Sequence, residues 1–282
     1  MLKTIDIRKE LAEKFWHPPV PLRSKIVQGI VVHSTGDTDV VKKDRADDVF
    51  AIADYDTSDK NHITPGRPLP TITYTHYCEY DRTGKLVCWR TLDDNVKTSH
   101  AGDVTYGKYR WNSIYTSVVV DHSPLDDPDP KKMGMLIDLV AYRCIQYGWD
   151  PVEEIEESDQ KAFRVVFHRE LKGTGWYVDA KGMKQFRKEC PDHAWDPDEF
   201  RRSVCDRISD VAEPFRVALA AAGLRFRSYH DLVDPASRIF VDAAKGMLGV
   251  NDPNDIPGVM TEAFISKICE LFGKTYGLDF AI

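Results

Sequence analysis

The spacing of apolar residues along the chain predicts a sheet with helices packed against it. Apolar residues at helical spacing in 131–147 predict an amphipathic helix that covers the sheet. A shorter helix is predicted at 5–15, and the prolines that follow it end it because proline lacks the backbone donor. The alternation indicates an α/β or α+β fold around a mixed sheet. Short runs rich in β-branched and aromatic residues predict the strands, at 26–33, 74–80, 86–90, 117–121 and 163–167.

The same patterns divide the chain into three predicted parts, with two insertions in the main one. An alanine-rich stretch at 211–222 predicts a helix that Gly223 ends, and two further amphipathic helices are predicted within 239–272. The segment 37–71, with a short helix at 46–53, is predicted to be an irregular insertion, and 169–187 is predicted to be a second insertion with a loop at 173–177. The predicted parts are an N-terminal arm, a main domain and a small helical domain, at 1–23, 24–205 and 206–282.

Charge and composition exclude several classes of protein. The formal net charge is −7 and the basic residues are scattered among acids, which is atypical of a nucleic-acid-binding face. Without an apolar run of about 20 residues, we expect no insertion into a membrane. The N-terminal segment lacks the apolar core of a secretory signal, so we expect synthesis in the cytoplasm without a signal peptide. The six cysteines form no C-x-x-C pair, and we expect no disulfides.

Two histidines stand at the ends of predicted strands, where open α/β sheets build their sites. His33 ends the run IVQGIVVH and His168 follows FRVVF. A hydrolytic zinc site needs three protein ligands and one open position. Cys190, in the segment KECP, is the candidate third ligand, and Asp192 is the alternative. The residues therefore predict a zinc site made of two imidazoles and a thiolate.

Five segments together resemble one enzyme family. They are GIVVHSTG, THYCEYDRTGKLVCW, SHAGD, VFHREL and KECP, in this order and at about the family's spacing. The chain over about 24–205 resembles the type-2 N-acetylmuramoyl-L-alanine amidases, which include phage endolysins and share their fold with animal peptidoglycan recognition proteins. The K-x-C-P segment is the most specific match.

The resemblance implies roles for residues around the zinc ion. His33, His168 and Cys190 match the family's zinc ligands. Lys188, two residues before Cys190, matches a lysine whose ammonium stabilises the developing oxyanion.

A second catalytic group is expected on the strand before the hairpin. Strand alternation lets only one of His76 and Tyr77 face the site. Counting back from Gly84 places His76 where some family members have a catalytic tyrosine, so the resemblance implies His76 first and Tyr77 second. His100, in the H-A-G segment, is expected to contact substrate. The strand at 117–121 matches a family strand that often carries a glutamate, and Asp121 offers the nearby carboxylate there as a candidate base. A purely structural role for Asp121 is the alternative interpretation.

The implied activity is zinc-dependent hydrolysis of the amide bond between N-acetylmuramic acid and L-alanine in polymeric peptidoglycan. A phage endolysin would be made in the host cytoplasm and act on the cell wall after release by a holin-type partner. A non-catalytic recognition protein and a different peptidoglycan peptide-bond hydrolase are the alternatives. The segment LGVNDPNDIPGVMTE (248–262) resembles a three-helix peptidoglycan-binding module, with a plain helical cap as the alternative. The sequence leaves the host, the stem-peptide preference and the oligomeric state open.

Overall fold

A computed structural model gives the fold of much of the chain as two compact units. The larger unit comprises Thr4–Leu136 and Glu154–Pro197, and the smaller comprises Met1–Lys3, Ile137–Glu153 and Asp198–Ile282. The described residues are 3–15, 22–23, 26–35, 49, 74–81, 83–98, 100, 111–122, 129–147, 149–157, 160–171, 176–178, 184–186, 190–191, 195–221, 242, 245–246 and 249.

The larger unit is built on a six-stranded mixed sheet, which confirms the predicted fold class. Its strands are β1 (Lys3–Asp6), β2 (Gly29–Ser34), β3 (His76–Tyr80), β4 (Leu86–Arg90), β5 (Tyr115–Val120) and β8 (Val165–Phe167). The strand order is β1-β4-β3-β5-β2-β8. Strand β2 pairs in parallel with both β5 and β8, β3 is parallel to β5, and β3 and β4 form an antiparallel hairpin.

The described part of this unit also contains two small antiparallel pairs and two short helical segments. A one-turn helix, α2 (Trp111–Ile114), leads into β5, and a 3-10 turn follows β8. The paired strands are β6 (Glu154–Glu157) with β7 (Gln160–Phe163), and β9 (Trp176–Val178) with β10 (Lys184–Phe186).

The start of the chain differs from the predicted helix at 5–15. Residues up to Asp6 form β1, at the edge of the sheet beside β4, and α1 (Arg8–Phe15) begins only afterwards. The Asp6 carboxylate accepts the Arg8 backbone N–H at 3.1 Å, so it satisfies a donor that the first turn of a helix leaves open. The side chain of Arg8 also bonds this carboxylate and lowers the pKa of Asp6. Ile5 and Asp6 are therefore strand residues rather than helical ones, because β1 pairs with β4 and the Asp6 carboxylate caps the helix that follows.

The hairpin between β3 and β4 has the glycine conformation that the sequence predicts. Gly84 lies at φ +74°, in the left-handed region where only glycine is unstrained. The Asp81 carboxylate accepts the backbone N–H groups of Thr83 at 2.8 Å and Lys85 at 3.0 Å. These bonds fix the turn and with it the register of the two strands.

Two apolar clusters hold the sheet. One packs Tyr77, Trp89 and Val119 with Leu11 of α1, and the other packs Val31 and Val166 with α2 and β5. At the start of β2 the backbone passes so close to its neighbours that a Cβ on Gly29 would lie 2.5 Å from the carbonyl oxygen of Arg164 and 2.6 Å from the Tyr115 ring. The glycine therefore permits the close pairing that carries β2 toward the predicted site.

The smaller unit contributes two long helices. α3 (Pro130–Tyr147) belongs to this unit from Ile137 onward, and α4 (Pro197–Ala221) runs without a break through the predicted domain boundary at 205/206. The Arg207 guanidinium forms an ion pair with the Asp138 carboxylate at 3.1 Å. Burial raises the pKa of the Asp138 carboxyl, and the Arg207 charge opposes that rise.

Most residues of the two helices predicted within 239–272 lie outside the described residues, as does nearly all of the predicted helix at 46–53. Only four positions between 239 and 272 are described, so the predicted binding module is not among the described parts. Among the described helices none is both long and apolar enough to cross a membrane.

Candidate metal centre

Two parallel strands bring His33 and His168 side by side. In the register of β2 with β8, Val32 lies opposite Phe167, so the next residues along the two strands are His33 and His168. Both strands point the same way, so both residues reach the same edge of the sheet. Their rings contact each other, with centroids 4.6 Å apart.

Cys190 completes the cluster from a distant part of the chain. Its Sγ lies 3.6 Å from Nδ1 of His33 and accepts the Ser34 backbone N–H at 3.3 Å. One ligand atom each from His33, His168 and Cys190 lie within 4.8 Å of one another. The structure thus brings together the three residues that the sequence nominates as ligands.

The geometry and the donor types fit a zinc ion. Zinc bonds of about 2.1 Å to nitrogen and about 2.3 Å to sulfur put two tetrahedral ligand atoms about 3.6 Å apart, and Cys190 Sγ and His33 Nδ1 are separated by 3.6 Å. Two imidazoles and a thiolate are ligands that zinc prefers. Three protein ligands leave one position open, as in catalytic rather than structural zinc sites.

His100 lies beside His33, on the side of the ring away from Cys190. His100 Nδ1 is 3.3 Å from His33 Nε2, and His100 Nε2 is 3.1 Å from the carbonyl oxygen of Tyr115. The residue is buried, with a fractional exposure of 4%. Burial, and then the charge of Arg23, lower the pKa of His100 well below its usual value.

Arg169 ties the segment that carries Cys190 to the turn that carries His168. Its backbone N–H donates to the carbonyl oxygen of Cys190 at 2.9 Å, and its guanidinium donates to the carbonyl oxygens of Pro191 and Trp195. A guanidinium presents several donors in a fixed plane, so one side chain can hold two carbonyls at once. Arg169 therefore fixes the position of one candidate ligand relative to another.

Replacing Arg169 by alanine is expected to lower the affinity for zinc by about tenfold, as the loss of residues that orient metal ligands does. The free energy of unfolding should fall by about 1–3 kcal/mol because two buried carbonyls lose their donor. Competition with a chromophoric chelator measures the first effect, and urea unfolding of the metal-free protein measures the second. Arg202→Ala is the control, because Arg202 is an exposed arginine that bonds a backbone carbonyl on α4. An Arg169→Ala variant with wild-type zinc affinity would contradict this role.

Strand register decides which of His76 and Tyr77 shares a face with the cluster. Tyr77 lies opposite Val119 on β5, and Val119 lies opposite His33 on β2. Residues directly opposite one another in a sheet project to the same face, so Tyr77 shares the face of His33 and His76 projects to the other. Tyr77 is 1% exposed and packs in the apolar cluster around Val119.

Asp121 is engaged by neighbours inside the larger unit. Its carboxylate accepts the Thr35 hydroxyl at 3.1 Å and pairs with the Lys132 ammonium at 3.3 Å. These contacts are those expected of an aspartate with a structural role. Lys188 and Asp192, which the sequence also nominates, lie outside the described residues.

The sequence reasoning missed one residue beside the cluster and another on the same face of the sheet. The ring of Tyr74 lies 5.2 Å from that of His33, between centroids. Glu79 is buried and, by alternation from Tyr77, lies on the same face of the sheet as His33. The signal for Glu79 was an acid at an inward position of an otherwise apolar strand. For Tyr74, just before the strand, the sequence offered no such signal.

No protein-family profile matches the sequence, and no curated protein matches it. Solved structures are similar to the chain at low identity. The N-acetylmuramoyl-L-alanine amidase LysC from Clostridium intestinale URNW is 15% identical, with a TM-score of 0.43 over 72% of this chain and 97% of the amidase. The Ph2119 endolysin from the Thermus scotoductus MAT2119 bacteriophage is 15% identical, with a TM-score of 0.44 over 72% of this chain and 99% of the endolysin. Drosophila PGRP-LB is 14% identical, with a TM-score of 0.41 over 68% of this chain and 88% of its own. The names of these proteins are those of an amidase, an endolysin and a PGRP.

Proposed function

We propose that this protein is a zinc-dependent hydrolase of peptidoglycan that cleaves the amide bond between N-acetylmuramic acid and L-alanine. The observation that carries the proposal is the cluster of His33, His168 and Cys190 at one edge of the sheet, with ligand atoms within 4.8 Å of one another. The five sequence motifs point to the same chemistry. When bound, a zinc ion with three protein ligands supplies Lewis-acid activation for the hydrolysis of an amide.

The protein's own residues hold and orient the reacting groups. The backbone N–H of Ser34 donates to the sulfur of Cys190 at 3.3 Å, which holds the sulfur beside Nδ1 of His33. Lys188 is proposed to stabilise the negative charge that develops on the carbonyl oxygen, a role worth several kcal/mol in a dry site. This role rests on the K-x-C-P motif.

For the second catalytic group we propose Tyr77 rather than His76. The row of Tyr77, Val119 and His33 runs across three neighbouring strands on one face of the sheet, which supports this choice. A tyrosine hydroxyl can donate to an oxygen that gains charge during attack on the amide, and loss of such a donor costs about 10²–10³ in rate. His76 lies on the opposite face and serves as the matched control.

The setting of the activity is proposed from the sequence. Polymeric peptidoglycan is the proposed substrate, and a phage endolysin that reaches the wall through a holin-type partner is the proposed context. A peptidoglycan-binding module at the C-terminus would raise the local concentration of scissile bonds without changing the chemistry.

The test combines zinc content with the identity of the cleaved bond. Purified sacculi are incubated with the zinc-loaded protein, and new amino termini are labelled and identified. We expect about one zinc per chain and new N-terminal L-alanine, with Tyr77→Phe slower by about 10²–10³ at unchanged zinc content and His76→Gln close to wild type.

Other outcomes would select the alternatives. New amino termini on other stem residues would indicate a different peptide-bond hydrolase. Binding to sacculi with neither zinc nor cleavage would indicate a recognition protein and would refute the proposed activity.

A further inference from the structure

His33 presents its two ring nitrogens to two different partners. Nδ1 is 3.6 Å from the sulfur of Cys190, and Nε2 is 3.3 Å from Nδ1 of His100. A metal ion shared with Cys190 would therefore bind Nδ1 of His33. Nε2 remains available for a hydrogen bond to His100.

The second nitrogen of His100 fixes the direction of that hydrogen bond. His100 Nε2 lies 3.1 Å from the backbone carbonyl oxygen of Tyr115, which can only accept. Nε2 of His100 therefore carries a proton, and in the neutral ring Nδ1 is left as an acceptor. The Nε2–H of His33 donates to it, so His33 keeps an unprotonated Nδ1.

We propose that His100 is a positioning residue that holds His33 in the tautomer and orientation needed to bind a metal through Nδ1. The relay runs from His33 to His100 and ends on the carbonyl of Tyr115, which belongs to β5, the strand next to β2. A partner on the second nitrogen fixes the ring and raises the basicity of the ligand nitrogen. The proposal rests on the proposed metal centre.

Its hydrogen-bond partners separate this role from direct contact with substrate, which the H-A-G motif had suggested. His100 is buried, and both of its ring nitrogens lie within hydrogen-bond distance of partners inside the protein. Neither nitrogen is left to bond a substrate. His100 therefore acts through His33.

Two near-isosteric variants test the relay. In His100→Asn the amide oxygen takes about the place of Nδ1, so the acceptor for His33 is kept and the bond to Tyr115 is lost. In His100→Gln the amide nitrogen takes about the place of Nε2, so the bond to Tyr115 is kept and the acceptor for His33 is lost. Comparing the two variants separates the loss of the hydrogen bond to His33 from the change in packing, because both variants replace the ring by a smaller amide.

The measurement is the zinc affinity of the full-length chain, by competition with a chromophoric chelator. We expect the affinity of His100→Gln to fall by about 10- to 100-fold and that of His100→Asn to stay within a few-fold of wild type. Equal affinities for the two variants would overturn the relay while leaving the metal centre in place. Wild-type protein that binds no zinc would overturn the metal centre itself, so the two failures are distinguishable.

A spectroscopic measurement on the wild type keeps the proposal testable if a variant does not fold. Nitrogen-15 NMR of the imidazole rings reports which nitrogen of His33 carries the proton. We expect the Nε2–H form in the zinc-bound protein. Finding the proton on Nδ1 of His33 would overturn the proposal.

Discussion

Replacing Cys190 by alanine is expected to lower the affinity for zinc by more than about 100-fold, beyond the cost of removing a residue that only orients a ligand. Peptidoglycan cleavage should be lost with the metal. The reason is geometric: the sulfur of Cys190 lies 3.6 Å from His33 Nδ1, as in a tetrahedral pair, and without it two histidines remain. Zinc content after dialysis and release of N-terminal L-alanine are the two measurements.

Two controls separate ligand loss from other effects of removing a cysteine. Cys205→Ala removes a cysteine whose pKa is raised to about 11 by burial and nearby acids, and it should leave zinc binding unchanged. Cys190→Asp supplies a carboxylate at the ligand position and should recover part of the affinity. A Cys190→Ala protein that binds zinc like the wild type would contradict the ligand assignment.

The replacement of Lys132 by methionine is expected to lower the free energy of unfolding by about 3–5 kcal/mol, the usual cost of leaving one partner of a buried ion pair alone. The Lys132 ammonium donates to the carbonyl oxygen of Asp121 at 2.7 Å and pairs with its carboxylate at 3.3 Å. The side chains are 4% and 6% exposed, so solvent does little to screen the charge that remains. Urea unfolding of the metal-free protein measures the change.

A double-mutant cycle isolates the pair. Lys132→Met combined with Asp121→Asn should be less destabilised than the sum of the single changes, since neither charge is then left buried alone. Lys161→Met is the surface control: Lys161 pairs with Glu154 at 3.8 Å with side chains 65% and 56% exposed. It should change the stability by less than about 1 kcal/mol. Additive effects of the two buried changes would show that the ion pair contributes no coupling.

Residues whose role follows from their own neighbours in sequence could be predicted before the fold was seen. The run IVQGIVVH is apolar enough to predict a buried strand, and a histidine at its end stands where open sheets build sites. The hairpin before β4 could be predicted because a glycine must supply the left-handed conformation, which Gly84 does at φ +74°. The fold class followed from the alternation of such elements.

Residues whose role depends on a partner far along the chain could not be predicted in this way. The period-two pattern of β3 shows that His76 and Tyr77 face opposite ways, and a shift of one residue in register exchanges their faces. Only the pairing of Tyr77 with Val119, and of Val119 with His33, decides which face is which. The edge strand β1 likewise exists because β4 lies beside it, and the local sequence favoured a helix there.

The sequence by itself determined five strands of the main sheet, the hairpin and the three residues nominated as metal ligands, because local periodicity and short motifs encode them. The tertiary structure alone decided that the sulfur of Cys190 meets Nδ1 of His33, that His100 lies on the other nitrogen, and that Lys132 neutralises Asp121. These contacts join residues that are far apart in the chain. Their distances are fixed by how strands pair and turns close, which no local pattern specifies.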